Sequence, residues 1–332
     1  MKVVSIKKPG SAAELIMEER AKPTPQKGEL LVKVKATAIN RTDIMKRENQ
    51  RLKPPYPILG VEMAGVVEEN NSSNKAFTPG TRVASLVNEG SYAEYVTVPA
   101  ERAIVLPDET TFEEGTAIPE VFLTAYQTLY WLGELQQDET VLIHAGGSGV
   151  GTAAIQLAKQ LTGAKVITTA GSAEKLNFCK RLGADETINY KTEDFSERVL
   201  EMTDGKGVDL ILDFIGASYW EKNLKSIKVD GHWILIGVLG GATAENVNLG
   251  ALLGKRVSLI GTLLTPRSDE YKAELTHAFA EKALPLFAAD KIHPIVDRVF
   301  PFEEAADAHR YMEDNKNTGK IILSLEKVDS RD

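Results

Sequence analysis

The sequence has little cysteine and no long apolar run. Among its 332 residues the only cysteine is Cys179, so the chain can form neither an intrachain disulfide nor an all-cysteine metal site. We therefore expect a reducing compartment and a cytoplasmic protein. No apolar stretch approaches the roughly 20 residues that span a bilayer, and Met1 to Gly10 lack the apolar core of a secretory signal. Neither a membrane nor export is expected.

The sequence also has fewer basic residues than acidic ones. The sequence holds 39 Lys and Arg against 47 Asp and Glu, a formal net charge of −8, which repels a phosphate backbone. Nucleic acid is therefore not expected as a partner. A hydrophobic content of 43% is that of a globular protein. A chain of this length exceeds one typical core, so two domains are expected.

Strand patterns dominate the first third of the chain. Residues 29–40 alternate apolar and polar side chains with the period of a half-buried strand, and strand-like runs also cover residues 63–68, 82–87 and 91–98,. From about residue 139, short apolar strands alternate with helices, which predicts parallel βαβ units. Six such strands are expected, at residues 140–144, 165–169, 186–189, 208–214, 232–237 and 257–263.

The end of the chain predicts a discontinuous first domain. Two amphipathic helices, at residues 269–281 and 303–313, precede a strand-like segment at residues 320–325, which needs a sheet to join. The β-rich first domain is the expected acceptor. We thus predict an α/β protein whose parts are a β-rich catalytic domain (residues 1–122 and 265–332) and an inserted, doubly wound nucleotide domain (residues 123–264).

The strongest local signal is residues 141–151, an apolar strand that runs through a glycine-rich turn into a helix. Glycines permit positive φ and let backbone N–H groups approach a pyrophosphate, and the helix N-terminus adds a favourable partial charge. Ser148 stands where the middle glycine of such turns is usual; it is small enough to fit and could bind phosphate or nicotinamide. The alternative is a purely structural turn. The six strands around it favour dinucleotide binding.

The expected dinucleotide is NADPH. About 20 residues after the last glycine, an NAD enzyme carries an acid for the ribose 2′-hydroxyl, but residues 169–172 contain none. Ser172, Lys175 and Tyr190 follow, where they could bind a 2′-phosphate. Glu174 argues against this, yet an acid in the first helical turn is favourable for structural reasons. Lys175 could also be an ordinary solvated lysine.

Several motifs follow one another along the chain, at residues 40–43, 59–62, 90–95, 117–119 with 123–125, and 138–159. In residue types and in order, they resemble the quinone oxidoreductase branch of the medium-chain dehydrogenase/reductase superfamily, over nearly the whole chain. Within the branch, residues 144–146, 148–151 and 219–223 resemble its tumour-suppressor-inducible group, and zeta-crystallin is a related member.

The resemblance implies a GroES-like first domain, a Rossmann second domain and a homodimer that pairs through residues 257–263. It also implies that the NADPH site is lined by Asn40, Thr124, Gly146, Gly147, Ser148, Gly149, Val150, Gly151, Ser172, Lys175, Tyr190, Gly216, Gly237, Val238, Leu239, Gly240, Thr262, Leu263, Leu264, Asn315 and Asn317.

The resemblance implies no metal. The related zinc alcohol dehydrogenases carry cysteine where Asn40 stands, histidine where Val61 stands, and a lobe with four cysteines. None of these ligands is here. The histidines lack any paired metal spacing, so each is expected to be structural or at the surface; they are His144, His232, His277, His293 and His309.

The substrate loop departs from the family. Most members have a tyrosine at the position of Arg51. Tyr56 could take over its stacking role, or could equally be a packing anchor among the neighbouring prolines. Arg51 either faces the acceptor or is solvated on a mobile loop. We name Asn40, Arg51 and Tyr56 as candidate catalytic residues.

Without a metal, the site must work mainly by orienting the nicotinamide against an acceptor that takes electrons easily. Reduction of quinones and related conjugated carbonyls, by hydride or electron transfer from NADPH, is the expected function. The Asn40 amide could hydrogen-bond a developing oxyanion or the ribose; the alternative is a turn asparagine. Two rival functions stay open, an enoyl or alkenal double-bond reductase and an NADPH-retaining protein with little turnover.

Overall fold

The computed structural model describes residues 1–326, and its chain divides into two compact units. The first comprises Met1–Val121, Thr265–Ala280 and the chain from Pro294 onward; the second comprises Phe122–Leu264 and Glu281–His293. The sequence-based division put Phe122 and residues 281–293 in the first domain. They cluster with the second because the Phe122 ring packs edge-on against Phe287 at 4.9 Å and the Gln156 amide makes two hydrogen bonds to the His293 backbone.

The first 118 residues contribute most of the first unit. Short 3₁₀ turns separate several of its elements. The strands and helices in chain order are β1 (Lys2–Ile6), β2 (Leu15–Glu19), β3 (Glu29–Ile39), α1 (Arg41–Glu48), β4 (Glu62–Asn70), β5 (Arg82–Leu86), β6 (Tyr95–Pro99), β7 (Ala103–Val105) and α2 (Phe112–Thr116).

The middle of the chain alternates strands and helices. Its elements are α3 (Pro119–Tyr126), β8 (Thr140–Ile143), α4 (Gly149–Leu157), β9 (Lys165–Ala170), α5 (Ala173–Arg181), β10 (Glu186–Asn189), α6 (Phe195–Met202), β11 (Val208–Asp213), α7 (Trp220–Ser226), β12 (Ile227–Leu235), α8 (Leu249–Lys255) and β13 (Ser258–Gly261). The last elements are α9 (Asp269–Ala288), β14 (Val296–Pro301), α10 (Ala305–Glu313) and β15 (Lys320–Ser324).

The main sheet of the first unit is mostly antiparallel. Its strand order is β14-β15-β3-β4-β5-β7, with β6 paired to β3. The final strand β15 lies antiparallel to β3, with Ile321 opposite Ile39. Both of these side chains are fully buried, and all five residues of β15 are buried. The predicted terminal strand therefore completes a sheet that begins near residue 29.

The second unit is a parallel six-stranded sheet in the order β10-β9-β8-β11-β12-β13. In its central strands Ile143, Ile167 and Leu212 are fully buried, as expected for a sheet covered on both faces. The chain reverses its direction of travel between β8 and β11, which creates a crevice at the carboxyl ends of the strands. The predicted α/β fold with a doubly wound sheet is confirmed.

No helix within residues 1–326 combines the length and the apolar character that crossing a bilayer requires.

Candidate functional site

The glycine-rich turn connects β8 to α4 at the carboxyl edge of the parallel sheet. Ser148 caps the helix, since its Oγ accepts a hydrogen bond of 3.0 Å from the Gly151 N–H. A Cβ atom on Gly151 would lie 2.4 Å from the Ala145 carbonyl oxygen, and one on Gly146 would lie 2.1 Å from Thr168 Oγ1. Glycine is thus required for the strand and helix to approach so closely, and the turn presents backbone N–H groups at a helix N-terminus, where anions bind.

A second cluster lies at the end of the neighbouring strand β9. Ser172 caps α5 by accepting from the Lys175 N–H at 3.3 Å, and the Lys175 side chain passes over Gly147, with Cδ 3.2 Å from a Cβ built there. The Tyr190 hydroxyl lies 2.6 Å from a Cβ built on Gly171. The structure therefore brings Ser172, Lys175 and Tyr190 together around the carboxyl ends of β8, β9 and β10.

Lys191 belongs to the same cluster and was missed in the sequence. Its Cε lies 3.0 Å from a Cβ built on Gly171, and the residue is exposed. Its position next to Tyr190, just after β10, was the signal that could have found it. Hydroxyl and ammonium groups of this kind suit a phosphate.

Thr124 on α3 supplies an unsatisfied polar group. The residue is 5% exposed, and its hydroxyl has no hydrogen-bond partner among residues 1–326. Buried polar groups are normally paired, so each exception calls for a partner such as a bound ligand. The predicted role of Thr124 towards a cofactor stays a prediction.

The remaining predicted cofactor positions on the second unit follow β11, β12 and β13. Gly216 has φ +79°, and a Cβ there would meet the Gly241 carbonyl oxygen at 2.8 Å. Val238 and Leu239 are exposed, whereas Thr262 and Leu264 are buried. Gly237, Gly240 and Leu263 lie just beyond β12 and β13, whereas Gly149 and Val150 are the first two residues of α4.

A buried polar network lies beneath these strand ends. His144 Nδ1 and the Thr169 hydroxyl are 3.0 Å apart, and His144 Nε2 lies 2.7 Å from Asn223 Oδ1. The Asn223 amide donates to Asp213 Oδ2 at 3.0 Å, so its oxygen faces His144, and His144 donates through Nε2. Burial lowers the pKa of His144. His144 thus lies in a buried network that connects the end of β8 with β9, α7 and β11.

In the first unit, Asn40 lies between the end of β3 and the start of α1 and is 6% exposed. Its Oδ1 accepts from Lys320 Nζ at 2.6 Å, and its Nδ2 donates to Glu62 Oε1 at 2.9 Å. Lys320 Nζ also forms an ion pair with Glu62 Oε1 at 2.6 Å. Glu62 Oε2 accepts from the Glu120 N–H at 2.8 Å. Both ends of the Asn40 amide are therefore held by a buried ion pair.

Asp43 begins a second buried chain of polar groups. Its carboxylate accepts from the backbone N–H of Asn40 at 2.8 Å and of Gly60 at 3.0 Å, and from the Tyr92 hydroxyl at 3.4 Å. Burial raises the pKa of Asp43 to about 6, although the two backbone hydrogen bonds act in the opposite direction. Asp43 thus holds the backbone of Asn40 in place.

The chain continues from Tyr92 through His309 to Arg47. Arg47 NH1 lies 3.0 Å from His309 Nδ1, and because a guanidinium can only donate, His309 donates through Nε2 to Tyr92 at 3.1 Å,. Burial, with a smaller effect of Arg47, lowers the pKa of His309 to about 3. Arg47 also pairs with Glu313 and with Glu48. In this series of hydrogen bonds, the donors Arg47, His309 and Tyr92 each point in the direction of Asp43.

The other predicted site residues of the first unit lie elsewhere. Arg51 is exposed beyond α1, and Tyr56 packs half-buried against the core of the unit. Asn315 Oδ1 accepts from Arg41 at 2.5 Å, and Asn317 Nδ2 donates to the Gly319 carbonyl at 2.8 Å. Their roles towards a substrate or cofactor stay predictions.

Within residues 1–326, no group of three His, Cys, Asp or Glu side chains is arranged to hold a metal ion.

Two family models match the chain. The alcohol dehydrogenase GroES-like domain matches residues 26–108, and the zinc-binding dehydrogenase domain matches residues 149–281. The chain belongs to the medium-chain dehydrogenase/reductase superfamily, where its relatives fit the quinone oxidoreductase branch. The GroES-like first domain and the Rossmann-type second domain predicted from the sequence are confirmed.

The relatives and solved structures cover almost the whole chain. The human synaptic vesicle membrane protein VAT-1 homolog is 34% identical over 91% of this chain and 80% of that protein. The bovine quinone oxidoreductase-like protein 2 is 30% identical over 94% of this chain and 89% of that protein. The Escherichia coli quinone oxidoreductase complexed with NADPH is 30% identical with TM-score 0.88, over 98% and 100%. The JamJ enoyl reductase is 25% identical with TM-score 0.84, over 97% and 98%. An oxidoreductase of this superfamily is therefore indicated.

Proposed function

We propose that the protein is an NADPH-dependent, metal-free reductase of quinones and related conjugated carbonyls. The observation that carries the proposal is the cluster at the ends of β9 and β10, where Ser172, Lys175, Tyr190 and Lys191 surround a turn without a carboxylate at the strand end. The similarity to a quinone oxidoreductase complexed with NADPH supports it.

The cofactor would be held by the second unit. The N–H groups of residues 146–151 suit the pyrophosphate, the Ser172 to Lys191 cluster suits the 2′-phosphate, and the unpaired Thr124 hydroxyl suits a polar group of the nicotinamide half,. When bound, NADPH supplies a hydride to the acceptor. Asn40, Asn315 and Asn317 from the first unit remain proposed contributors.

The acceptor is proposed to be conjugated because the amide of Asn40 can polarise an acceptor carbonyl only weakly. The Lys320 ammonium lies 2.6 Å from Asn40 Oδ1, and a divalent cation there would meet a like charge. A saturated aldehyde needs strong polarisation, since charge collects on one oxygen in the transition state. A quinone spreads the arriving charge through its own π system, so an amide donor and good alignment suffice. The exposed Arg51 is not needed for this step.

Enoyl reduction is the second candidate. It uses the same hydride geometry on an activated C=C bond, and the similarity to an enoyl reductase supports it. An NADPH-retaining protein with little turnover is the outcome if no acceptor is reduced.

The proposal includes a homodimer in the cytoplasm. β13 is an edge strand of the parallel sheet, and the neighbouring leucines Leu249, Leu253 and Leu263 are exposed by 63%, 77% and 63%. An apolar surface at an open strand edge suits a second copy of the same chain, joined edge to edge. The cytoplasmic location rests on the single cysteine.

The test is NADPH oxidation across a quinone, a conjugated enone and a saturated aldehyde. We expect kcat/KM to fall in the order quinone, enone, aldehyde, with the aldehyde slowest. If the enone is the fastest substrate and its C=C bond is reduced, the result favours the enoyl reductase. Faster turnover of the saturated aldehyde would contradict the mechanism.

A further inference from the structure

The side chain of Asn40 is restrained by its two neighbours more than a substrate-binding amide needs to be. Lys320 is 3% exposed and Glu62 is fully buried, and both contact the amide and each other. A buried ion pair of this kind is weak evidence for stability, because desolvation offsets much of its Coulomb energy. The contacts of the Glu62–Lys320 pair with Asn40 therefore point to a functional role.

The charges fix which way the amide points. An ammonium has donors only, so it can face only the amide oxygen, and a carboxylate faces only the amide nitrogen. Rotation of the amide by 180° would place its N–H groups against Lys320 and its oxygen against Glu62. Asn40 thus has its oxygen occupied, one of its two N–H groups bonded to Glu62, and one N–H left to donate.

The contact with Lys320 strengthens that remaining donor, whereas the contact with Glu62 fixes its direction. A charge-assisted hydrogen bond to the amide oxygen draws electron density from the amide nitrogen, and such polarisation is cooperative in a buried setting. Because Lys320 and Glu62 carry opposite charges, the cluster gains this effect without a net charge.

We propose that Lys320 and Glu62 are positioning residues that turn the Asn40 amide into a single, polarised N–H donor for the oxygen atom of a carbonyl acceptor. This inference rests on the proposed function. It selects a ligand oxygen that accepts a hydrogen bond over a ligand group that donates one. Asn40 transfers no proton: it stabilises the oxygen that gains charge as the hydride arrives, and the proton that completes the reduction comes from solvent.

The first test is a double-mutant cycle between Asn40→Ala and Lys320→Met, with kcat, KM and the NADPH Kd measured for each variant. Loss of one hydrogen bond to a developing charge lowers kcat by on the order of 100-fold, so we expect that effect from Asn40→Ala and about tenfold from Lys320→Met, with the NADPH Kd unchanged in Lys320→Met. In the Asn40→Ala background, Lys320→Met should lower kcat no further. Equal factors in both backgrounds would show a merely structural role and overturn the inference.

Lys320→Met leaves Glu62 buried without its cation, which can unfold the protein. The paired change Glu62→Gln with Lys320→Met avoids this, and we expect it to fold with the lowered kcat. Lys320→Arg keeps the cation and should recover part of the activity. Wild-type kcat in the paired variant would overturn the inference.

A second readout does not depend on turnover. In ¹⁵N–¹H spectra with NADP⁺ present, addition of the non-conjugated ketone cyclohexanone should move one of the two Asn40 side-chain protons downfield in the wild type and neither in Lys320→Met. A wild type that oxidises no NADPH would contradict the proposed function, and the Asn40 signal would then decide this inference alone. An Asn40 signal unaffected by the ketone would overturn it.

Discussion

At the scale of single residues, two buried polar groups hold Asn40 from different sides. Asp43 binds its backbone N–H, and the Glu62–Lys320 pair binds its side chain. Fixed dipoles around a reacting group lower the reorganisation that the reaction must otherwise drive. The two groups differ in charge balance, because Asp43 accepts from two backbone N–H groups and a tyrosine hydroxyl, whereas Glu62 pairs with the Lys320 ammonium.

Asp43 makes the stability of the protein depend on pH. Its folded pKa of about 6 lies above its ordinary value of 3.8, so its contribution to stability is full below pH 3.8 and is lost as the pH rises through 6. A shift of about 2 pKa units corresponds to about 3 kcal/mol. Between pH 4 and 7, we expect the free energy of unfolding of the wild type to fall by about that amount relative to Asp43→Asn, measured by urea denaturation.

Asp230 provides the contrasting control. A hydrogen bond from Arg256 lowers its pKa, so its contribution is present above its unfolded pKa and is lost only as the pH falls below it. Asp230→Asn should therefore leave the profile between pH 5 and 7 unchanged. Parallel wild-type and Asp43→Asn profiles would contradict the prediction.

Lys175 and Lys191 should set the preference for NADPH. A charge-assisted contact to the 2′-phosphate is worth about 1.5–3 kcal/mol, or roughly 10- to 100-fold in Kd. We expect Lys175→Ala to weaken NADPH by that factor, Lys191→Ala to weaken it less because its side chain is exposed, and both to leave NADH binding unchanged. Titration of nucleotide fluorescence measures this. Lys180→Ala, at the far end of α5, is the control, and equal losses for NADPH and NADH would refute the assignment.

At the scale of elements, the glycine-rich turn is fixed by backbone contact. A Cβ on Gly151 would approach the Ala145 carbonyl oxygen to 2.4 Å, and a backbone atom cannot move aside as a flexible side chain can. Neighbouring Ala145 already has a positive φ of 51°, which is uncommon for a residue with a side chain. The strand, the turn and the helix therefore form one rigid piece.

Gly151→Ala should disturb this piece. We expect a loss of stability of about 1–3 kcal/mol from overpacking, together with weaker NADPH binding, measured by thermal unfolding and by titration. Gly254→Ala in α8 is the matched control, because nothing lies within 4 Å of a Cβ there and alanine is favoured in helices. An unchanged Tm and Kd in Gly151→Ala would show that the turn can relax.

At the scale of the whole molecule, the exposed leucines near β13 should form a dimer interface. Two of these leucines, Leu249 and Leu253, lie on α8, and both are exposed. Leu253→Glu places a charge in this apolar surface, so we expect the wild type to sediment as a dimer and the variant as a monomer at micromolar concentration. Val105→Glu, at an exposed position of the first unit, is the control and should remain dimeric. A wild type that sediments as a monomer would contradict the proposed homodimer.

Activity should also be independent of metal ions. Asn40 and Val61 cannot supply thiolate or imidazole ligands, and Lys320 places a cation beside Asn40. We expect NADPH oxidation to survive prolonged dialysis against a chelator, and elemental analysis to find no stoichiometric zinc. One zinc ion per chain, lost together with activity, would contradict this.

The amino-acid sequence by itself determined the α/β fold, the six strands of the parallel sheet and the glycine-rich turn. These depend on local periodicity and on residue types such as glycine, which restrict the backbone within a short window.

The tertiary structure alone decided which distant residues meet. Lys320 reaches Asn40 across 280 positions of the chain and His309 reaches Arg47 across 262, and neither pairing has a local signal, since a lysine in a terminal strand or a histidine in an amphipathic helix is ordinary in sequence. Sheet register brings β15 beside β3, and only then does a buried ammonium face a buried amide. Periodicity specifies which face of an element is buried, whereas packing specifies what that face touches.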